Sequence, residues 1–376
     1  MTGIAQIAEL QFPSLERIFF NAAGWHPLPR VAIEALTRYA ASRGHPDHGQ
    51  DNTAFILNSV RTNVARLIGA SASDIALVPS TTVAEQLFVR AAGLPSSGAL
   101  VTDLMHFDAS IYAYDAMARA GADVRLVEPR DGRIDLADIE AQLARGGVRL
   151  VAVSAVSNMT GFAHDLPALS NLVHRHGALL YADIIQLAGA APFDMAGSGV
   201  DACAGSGFKW LMGDIGLGFL SVRPELRSAL LRPIHGYRQL VEDIEPWPPT
   251  GTRDWVVAND AAGLFEAASL PVGVASSLAA STGLLHEIGI DKIVAHRGPL
   301  LARIAAALPP LGYRRITPEG SIAPFLVFDK SSRPGTSDLL QAAGIDVGLM
   351  GDVMRISVSI FNTEDHVDRL IAALSG

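Results

Sequence analysis

Residues 149–183 read RLVAVSAVSNMTGFAHDLPALSNLVHRHGALLYAD, and their pattern identifies the fold class. The stretch begins with an apolar, β-branched run, RLVAVSA (149–155), and ends with a second such run, ALLYAD (178–183). Between them, LPALSNLVHRHG (166–177) has apolar residues at helical spacing and closes on a His-Gly pair typical of a helix C-terminus. Neither apolar run alternates with polar residues, so both are predicted to be strands buried on two faces. A strand–helix–strand unit of this kind indicates a parallel sheet covered by helices.

The same alternation extends from about residue 60 to residue 225. Further apolar runs that predict strands are IALV (75–78), ALVTD (99–103), DVRLVE (123–128), VDACAGS (200–206) and LGFLSV (217–222). We therefore predict an α/β fold with a mostly parallel, seven-stranded sheet sandwiched between helices.

The second half of the chain breaks this pattern. A Pro- and Gly-rich stretch at 231–254 is followed by helical segments and then by a smaller unit that mixes strands and helices. We accordingly divide the chain into residues 1–20, an N-terminal segment that joins the small domain, residues 21–265, the large domain, and residues 266–376, a small α+β C-terminal domain.

The composition excludes several classes of protein. The chain has 376 residues and a net charge of -9, without any run of Lys or Arg, which argues against a nucleic-acid partner. Cys203 is the only cysteine, so no internal disulfide can form and a reducing, cytoplasmic location is predicted. Residues 1–20 lack a basic leader followed by an apolar core, and no apolar run reaches membrane-spanning length. We expect neither a secretory signal nor a membrane partner.

Polar or aromatic residues that could bind a ligand or take part in catalysis follow five of the predicted strands. In an open α/β sheet, ligands bind at the carboxyl ends of the strands. The residues found there are, in chain order, Ser80, Thr81 and Thr82; His106 and Phe107; Asn158; Asp183 and Gln186; and Ser206 and Lys209. One such strand end would mean little, since Ser and Thr are ordinary helix caps. Five together indicate a ligand site.

These groups match the needs of one ligand, pyridoxal 5′-phosphate. Its aldehyde condenses with a lysine amine, and Lys209 has small and apolar neighbours that favour a neutral, nucleophilic amine. Its pyridine nitrogen needs a carboxylate, for which Asp183 is available. Its phosphate needs a helix N-terminus such as the one that Thr81 and Thr82 open, and its ring needs a flat or apolar face. The sequence therefore predicts pyridoxal 5′-phosphate as a cofactor that Lys209 holds covalently.

The chain resembles the class V aminotransferase family of pyridoxal-phosphate enzymes, of fold type I, over nearly its whole length. The motifs that carry the resemblance are FFNAAGWHPLP (19–29), VSNMTG (156–161), YADIIQLAGAAPFD (181–194), SGFKWLMGDIGLGFL (206–220), GTRDW (251–255) and MRISVSIFNT (354–363). The succession of Asp183, Gln186, Ser206 and Lys209 is the most specific part. Within the family, the chain is most similar to the isopenicillin N epimerase-like and cysteine desulfurase-like branch.

The resemblance implies a role for each residue around the cofactor. Lys209 would form the Schiff base and later move the proton at the substrate Cα. Asp183 would pair with the pyridine nitrogen, and Phe107 would stack on the ring. The other implied contacts are Gln186 and Asn158 near the ring hydroxyl, and Thr81, Thr82 and Ser206 at the phosphate.

The resemblance also implies a substrate site and a second subunit. Arg355 matches the arginine that pairs with the α-carboxylate of a small-molecule amino-acid substrate, with Asn158 beside it. Thr252 matches a phosphate contact donated by the neighbouring subunit, which implies a homodimer. His106 precedes the stacking residue and is either a catalytic acid/base, the role we assign it, or a hydrogen-bonded loop residue.

Two departures from the family pattern bear on the reaction. Desulfurases have a histidine immediately before the lysine, where this chain has Phe208, which cannot bond to a phosphate. They also need a nucleophilic cysteine on a loop of the small domain, and the corresponding stretch, KSSRPGTSDLL (330–340), has none. Cys203 lies in a predicted strand, where packing explains it better than nucleophilic catalysis. These departures disfavour a desulfurase that forms a persulfide on the protein.

The cofactor determines how electrons are withdrawn from Cα but not which bond breaks. We favour a lyase that catalyses β-elimination, for example cleavage of a C–S bond, and retain epimerisation, racemisation and transamination as alternatives. Outside the enzymes, the alternatives are a cofactor-free scaffold and a nucleotide-binding protein. His174 and His176 fit a helix C-terminus better than a metal site, because cysteines and carboxylates at ligand spacing are missing nearby, so we expect no metal.

Overall fold

The computed structural model describes residues 3–13, 15–45, 50–241 and 255–376. Its strands are β1 (Ile18–Phe20), β2 (Ile75–Val78), β3 (Ala99–Asp103), β4 (Val124–Val127), β5 (Val148–Ser154), β6 (Leu179–Asp183), β7 (Ala202–Ser206), β8 (Gly218–Val222), β9 (Arg314–Arg315), β10 (Phe325–Asp329), β11 (Ile345–Met350) and β12 (Val353–Ser357). Its helices are α1 (Ile4–Gln11), α2 (Arg30–Ser42), α3 (Gln50–Leu67), α4 (Thr81–Ala91), α5 (Asp108–Arg119), α6 (Leu136–Ala144), α7 (Leu166–Arg175), α8 (Met195–Ser198), α9 (Ala261–Phe265), α10 (Val272–Ile288), α11 (Ile290–Ala307), α12 (Thr336–Ala342) and α13 (Glu364–Ser375).

The larger sheet has seven strands in the order β2-β8-β7-β6-β5-β3-β4. Strands β3 to β7 pair in parallel, and only β8 runs antiparallel to both of its neighbours, β2 and β7. The predicted mostly parallel, seven-stranded sheet is therefore confirmed, and each apolar run singled out between 75 and 222 overlaps one of its strands, with β5 beginning one residue before its run.

Both faces of this sheet are covered, as the unalternated apolar runs predict. In β5, Val151 and Val153 belong to one buried cluster, which includes apolar residues of α3, α7 and α10. Leu150 and Ala152 point to the other face and belong to a second cluster, with residues of α4 and α9. Successive strand residues face opposite ways, so each strand contributes to both cores.

The smaller sheet has five strands in the order β1-β11-β12-β10-β9. The N-terminal strand β1 pairs in parallel with β11, whereas the remaining pairs are antiparallel. Helices α11, α12 and α13 pack on this sheet around a third buried cluster. The predicted domain limits at residues 20 and 265 stay a prediction, and α10, placed in the small domain by those limits, packs on α2 and α3.

Residues 19–26 connect the smaller sheet to the loop that carries Lys209. Asn362 Nδ2 donates a hydrogen bond to the Phe19 carbonyl (2.9 Å), and the Ala23 amide donates to Ser357 Oγ (3.1 Å). Three residues further on, the His26 amide donates to the Phe208 carbonyl (2.9 Å). One short segment thus holds the two sheets in a fixed relation around the predicted site.

Among the described residues, none of the helices is both long and apolar enough to cross a bilayer.

Candidate active site

The carboxyl ends of β5, β6 and β7 surround a cavity of about 250 Å³. Ser154, Asp183 and Ser206 are the last residues of these three strands, and all three line the cavity. The N-terminus of α4 forms another wall. Every cofactor residue predicted from the sequence that lies among the described residues contributes to these walls. The structure thus brings the predicted residues together, while their individual roles stay predictions.

Lys209 follows β7 in a tight loop, and its side chain is buried within the cavity wall. Burial lowers the pKa of the Lys209 amine to about 8, the charge of Asp183 opposing this shift and that of Arg355 adding to it. The loop lies close to Gly189, where φ is +86° and an added Cβ would stand 2.4 Å from the Trp210 carbonyl oxygen. Glycine at 189 therefore lets the lysine loop pack closely against the turn that follows β6. The pKa of about 8 means that part of the Lys209 amine is neutral near physiological pH.

Asp183 presents a carboxylate to the same cavity. Its Oδ1 accepts a hydrogen bond from the Ile185 amide at 2.8 Å. Burial raises the pKa of Asp183 to about 6, although the charges of His106 and Lys209 and this hydrogen bond favour the ionised form. A positive charge placed in the cavity would stabilise the carboxylate further, as a protonated pyridine nitrogen would.

The N-terminus of α4 provides an anion site opposite Asp183. Ser206 Oγ accepts a hydrogen bond from the Thr81 amide at 2.9 Å and lies 2.9 Å from Thr81 Oγ1. Ser80 caps the helix, its Oγ accepting from the Val83 amide at 3.2 Å. Because a helix N-terminus attracts negative charge, these hydroxyls and Thr82 fit a phosphate group.

Gln186 is fixed by two hydrogen bonds. Trp210 Nε1 donates to Gln186 Oε1 at 2.8 Å, and Gln186 Nε2 donates to the Ala23 carbonyl at 3.2 Å. Two aromatic rings line the cavity, Phe107 at the start of α5 and Phe208, whose ring centroid is 5.8 Å from Lys209 Nζ. They supply the flat, apolar faces that the sequence predicts for a cofactor ring.

Arg355 of β12 reaches this region from the smaller sheet. Its Nη1 donates to the Asn158 carbonyl at 3.1 Å, and burial lowers the pKa of its guanidinium to about 10. Arg355 Nε and Asn158 Oδ1 are buried without a hydrogen-bond partner among the described residues. Unpartnered buried polar atoms are costly, so both fit a site that is completed by a polar ligand such as a carboxylate.

His106 is not among the residues that line the cavity, and the catalytic role assigned to it from the sequence stays a prediction. Its ring is fully buried, with Nδ1 2.8 Å from Ser154 Oγ and Nε2 2.8 Å from Glu85 Oε1. The hydroxyl of Ser154 therefore stands between this imidazole and the cavity. Both ring nitrogens thus have hydrogen-bonding partners, as the alternative of a hydrogen-bonded residue requires.

Two residues at the site, Ser154 and Glu85, were not singled out from the sequence. Ser154 ends an otherwise apolar strand, and Glu85 is a buried carboxylate in the second turn of α4. Each is a polar residue at a position that the sequence pattern predicts to be buried, and that signal could have identified both. Thr252, the predicted contact from a neighbouring subunit, lies outside the described residues.

The cavity fits pyridoxal 5′-phosphate. It offers an amine at Lys209, a carboxylate at Asp183, an anion site at Thr81 and Ser206, and aromatic faces, each on a different part of the wall. The unpartnered Asn158 Oδ1 adds an acceptor that the described side chains leave unused. This donor set matches the aldehyde, ring nitrogen, phosphate and ring of the cofactor.

Comparison with known proteins agrees with this geometry. The sequence model of the family described as Aminotransferase class-V matches residues 18–370. A relative named cysteine desulfurase IscS, from Anaeromyxobacter sp. (strain Fw109-5), is 27% identical over 94% of this chain and 90% of its own length. The apo cysteine desulfurase of Thermococcus onnurineus NA1 superposes with a TM-score of 0.86 at 22% identity, covering 100% of this chain and 98% of that one.

A second solved structure, the cystine C–S lyase C-DES in complex with its reaction product cysteine persulfide, superposes with a TM-score of 0.85 at 20% identity. It covers 97% of this chain and 99% of the C-DES chain. The family match confirms the predicted cofactor, pyridoxal 5′-phosphate, and the predicted fold type.

Proposed function

This chain belongs to the class V aminotransferase family, and we propose that it is a lyase that cleaves the Cβ–S bond of a small sulfur-containing amino acid by β-elimination. The observation that carries the proposal is the buried amine of Lys209 in one cavity with Asp183, in a chain whose only cysteine is inaccessible.

The residues divide the work of such a reaction. When bound, pyridoxal 5′-phosphate withdraws electrons from the Cα of an attached amino acid. Lys209 Nζ, with its pKa near 8, is the base that takes the Cα proton. Asp183 supplies the negative charge that keeps the cofactor ring nitrogen protonated. Arg355 holds the substrate α-carboxylate, and Phe107 and Phe208 limit the entry of water.

The position of Cys203 supports elimination over sulfur transfer to the protein. Its side chain is fully buried in β7, and burial raises the pKa of the thiol well above its ordinary value. A nucleophilic cysteine needs exposure and a lowered pKa, so Cys203 cannot accept sulfur from a substrate. The Cβ–S electron pair then leaves with the sulfur, which departs on a small molecule rather than on the chain. The resemblance of the fold to the cystine C–S lyase C-DES is compatible with that outcome.

The reaction is tested by supplying L-cysteine, L-cystine and related sulfur amino acids in deuterated water. Elimination releases pyruvate and ammonia, together with hydrogen sulfide from L-cysteine, cysteine persulfide from L-cystine or a thiol from an S-substituted cysteine, and this is the result that we expect. Deuterated D-amino acid would instead identify an epimerase, and an oxo acid with aminated cofactor would identify an aminotransferase. Cys203→Ala should retain the wild-type rate and Lys209→Ala should lose it. A loss of activity in Cys203→Ala would overturn the elimination mechanism.

We also propose that the enzyme is a homodimer in which Thr252 contacts the phosphate bound by the neighbouring subunit. The described residues that flank the stretch containing Thr252 expose large apolar side chains, with Val241 62% and Val256 49% exposed. Mixing Lys209→Ala with Thr252→Ala, at a cofactor concentration too low to saturate Thr252→Ala, tests this arrangement, since their heterodimer contains one intact site. Recovery of activity supports the shared site, and a monomer by sedimentation would contradict it.

We place the enzyme in the cytoplasm, because its one cysteine is unpaired, and cell fractionation checks this location.

A further inference from the structure

A buried chain of hydrogen bonds runs beneath the cavity and ends on its wall. Glu85 of α4 accepts from His106 Nε2 at 2.8 Å, and His106 Nδ1 lies 2.8 Å from Ser154 Oγ. Ser110 and Tyr114 of α5 also donate to the Glu85 carboxylate, Ser110 at 2.6 Å. All five side chains are buried, and only Ser154 lines the cavity. We call Glu85, His106 and Ser154 the relay.

The charges within the relay are opposite. Burial raises the pKa of Glu85, but the His106 charge and the three hydrogen bonds outweigh burial and bring it below its ordinary value. Burial lowers the pKa of His106, but the charge and hydrogen bond of Glu85, together with the charges of Asp183 and Asp103, outweigh burial and bring the pKa above its ordinary value. Both directions favour a carboxylate paired with an imidazolium at neutral pH.

The protonation of His106 determines how Ser154 is oriented. An imidazolium has two N–H groups and no acceptor, so Nε2 donates to Glu85 and Nδ1 donates to Ser154 Oγ. The hydroxyl hydrogen of Ser154 must then point away from His106. Ser154 is paired in register with Asp183 on the neighbouring parallel strand, so the two side chains emerge on the same face of the sheet. Of the Asp183 oxygens, Oδ1 is engaged by the Ile185 amide.

We propose that Glu85 and His106 are positioning residues that hold the Ser154 hydroxyl as a hydrogen-bond donor beside Asp183, and thereby keep Asp183 ionised opposite the cofactor ring nitrogen. The proposal rests on the proposed function only in that it assigns Asp183 to that nitrogen.

Among the charged and titratable groups around His106, Glu85 has the largest effect in favour of its protonation. Glu85 and Asp183 both act on it electrostatically, as does Asp103, which is itself engaged by His164 Nε2 at 3.1 Å. Ser110 and Tyr114 occupy further positions on the Glu85 carboxylate, so Glu85 is held facing His106. Removing the negative charge of Glu85 therefore removes the main reason for His106 to be protonated.

The relay is tested with Glu85→Gln, Ser154→Ala and Ser154→Thr in the holoenzyme. Ser154→Thr keeps the hydroxyl and serves as the rescue variant. His174→Gln is the control, because His174 forms a comparable pair with buried Asp201 (2.8 Å) at the opposite end of the sheet. Two measurements contain no amino-acid substrate: the ¹⁵N NMR shift of ring-labelled pyridoxal phosphate bound to each protein as a function of pH, and the Kd of the cofactor.

In the wild type and in His174→Gln, we expect the ring nitrogen to remain protonated through neutral pH. In Glu85→Gln and Ser154→Ala, the proton should move from the ring nitrogen towards Asp183, and the Kd should rise about tenfold, because the carboxylate that pairs with the ring nitrogen is less fully ionised. Ser154→Thr should restore the wild-type shift. Wild-type shifts and Kd in both variants would overturn the relay. Because no substrate is present, that failure is distinguishable from failure of the proposed elimination, and if Glu85→Gln does not fold, the nearly isosteric Ser154→Ala decides.

Discussion

Replacing Lys209 with Met should make the cofactor-free protein more stable at neutral pH. The pKa of the Lys209 amine is about 8, against an ordinary value of 10.5, and desolvation by burial is the main cause. The difference corresponds to about 3 kcal/mol, at roughly 1.4 kcal/mol for each tenfold change in an equilibrium constant. This is the free energy by which the charged amine destabilises the folded, cofactor-free state. Methionine has a similar shape and carries no charge to desolvate.

The pH dependence of this effect has a definite sign. Because the folded pKa lies below the unfolded one, the unfolded state binds more protons between about pH 8 and pH 10.5. The Lys209 contribution to wild-type stability therefore rises with pH through that window. Lys209→Met lacks this contribution, so its advantage should be full below pH 8 and absent above pH 10.5.

Differential scanning calorimetry of the two cofactor-free proteins measures the effect. A chain of this length has an unfolding entropy of about 0.8 kcal/mol/K, so the variant should melt about 4 °C higher at pH 7. The matched control is Lys330→Met, a partly exposed position directly after β10, which should leave the melting temperature within about 1 °C, as surface substitutions usually do. A variant that melts at or below the wild-type temperature at pH 7, or whose advantage persists at pH 10.5, would refute the account of Lys209.

Three further substitutions test other parts of the structure. Glu266 is 1% exposed and accepts hydrogen bonds from Arg61 (2.7 Å) and Arg238 (3.1 Å), so Glu266→Gln should destabilise the protein by about 3 kcal/mol; an unchanged melting temperature would count against this pairing. Arg355→Lys replaces a forked donor by a point charge and should raise KM for the amino acid about tenfold with a smaller change in kcat, as initial-rate kinetics would reveal; an unaltered KM would mean that the α-carboxylate binds elsewhere. Ser206→Ala removes a hydroxyl from the anion site and should weaken cofactor binding about tenfold by equilibrium dialysis, whereas equal binding would place the phosphate away from α4.

The large sheet could be predicted because its signal is local. Each strand is an apolar run that ends at a polar strand terminus, and β2 has the limits that the run at 75–78 indicates. The antiparallel direction of β8 could not be predicted, because an apolar run does not show whether a strand is parallel or antiparallel to its neighbours. The pairing of β1 with β11 joins Ile18 to Ile345, and no local pattern marks such a distant partner.

In the candidate site too, features with a local sequence signal could be predicted, whereas contacts between distant residues could not. That Lys209 and Asp183 share one cavity could be predicted, because residues at or just after the carboxyl ends of neighbouring parallel strands meet at the same edge of the sheet. The placement of the His106 ring could not be predicted, because its sequence position beside Phe107 does not determine where each ring points. Phe107 lines the cavity, whereas the ring of His106 contacts the buried carboxylate of Glu85, which belongs to α4. Such a contact depends on side-chain directions that a single sequence does not specify.

Burial acts on Lys209 and Asp183 in the same direction, towards the neutral form of each group. It lowers the pKa of the amine to about 8 and raises that of the carboxyl to about 6. Their mutual attraction opposes both shifts without cancelling either one. Pyridoxal phosphate would remove both penalties, because its aldehyde consumes the amine and its ring nitrogen pairs with the carboxylate. The stability that the cofactor-free protein loses at these two groups is therefore a source of cofactor affinity, with Asp183 at the end of β6 and Lys209 in the loop after β7.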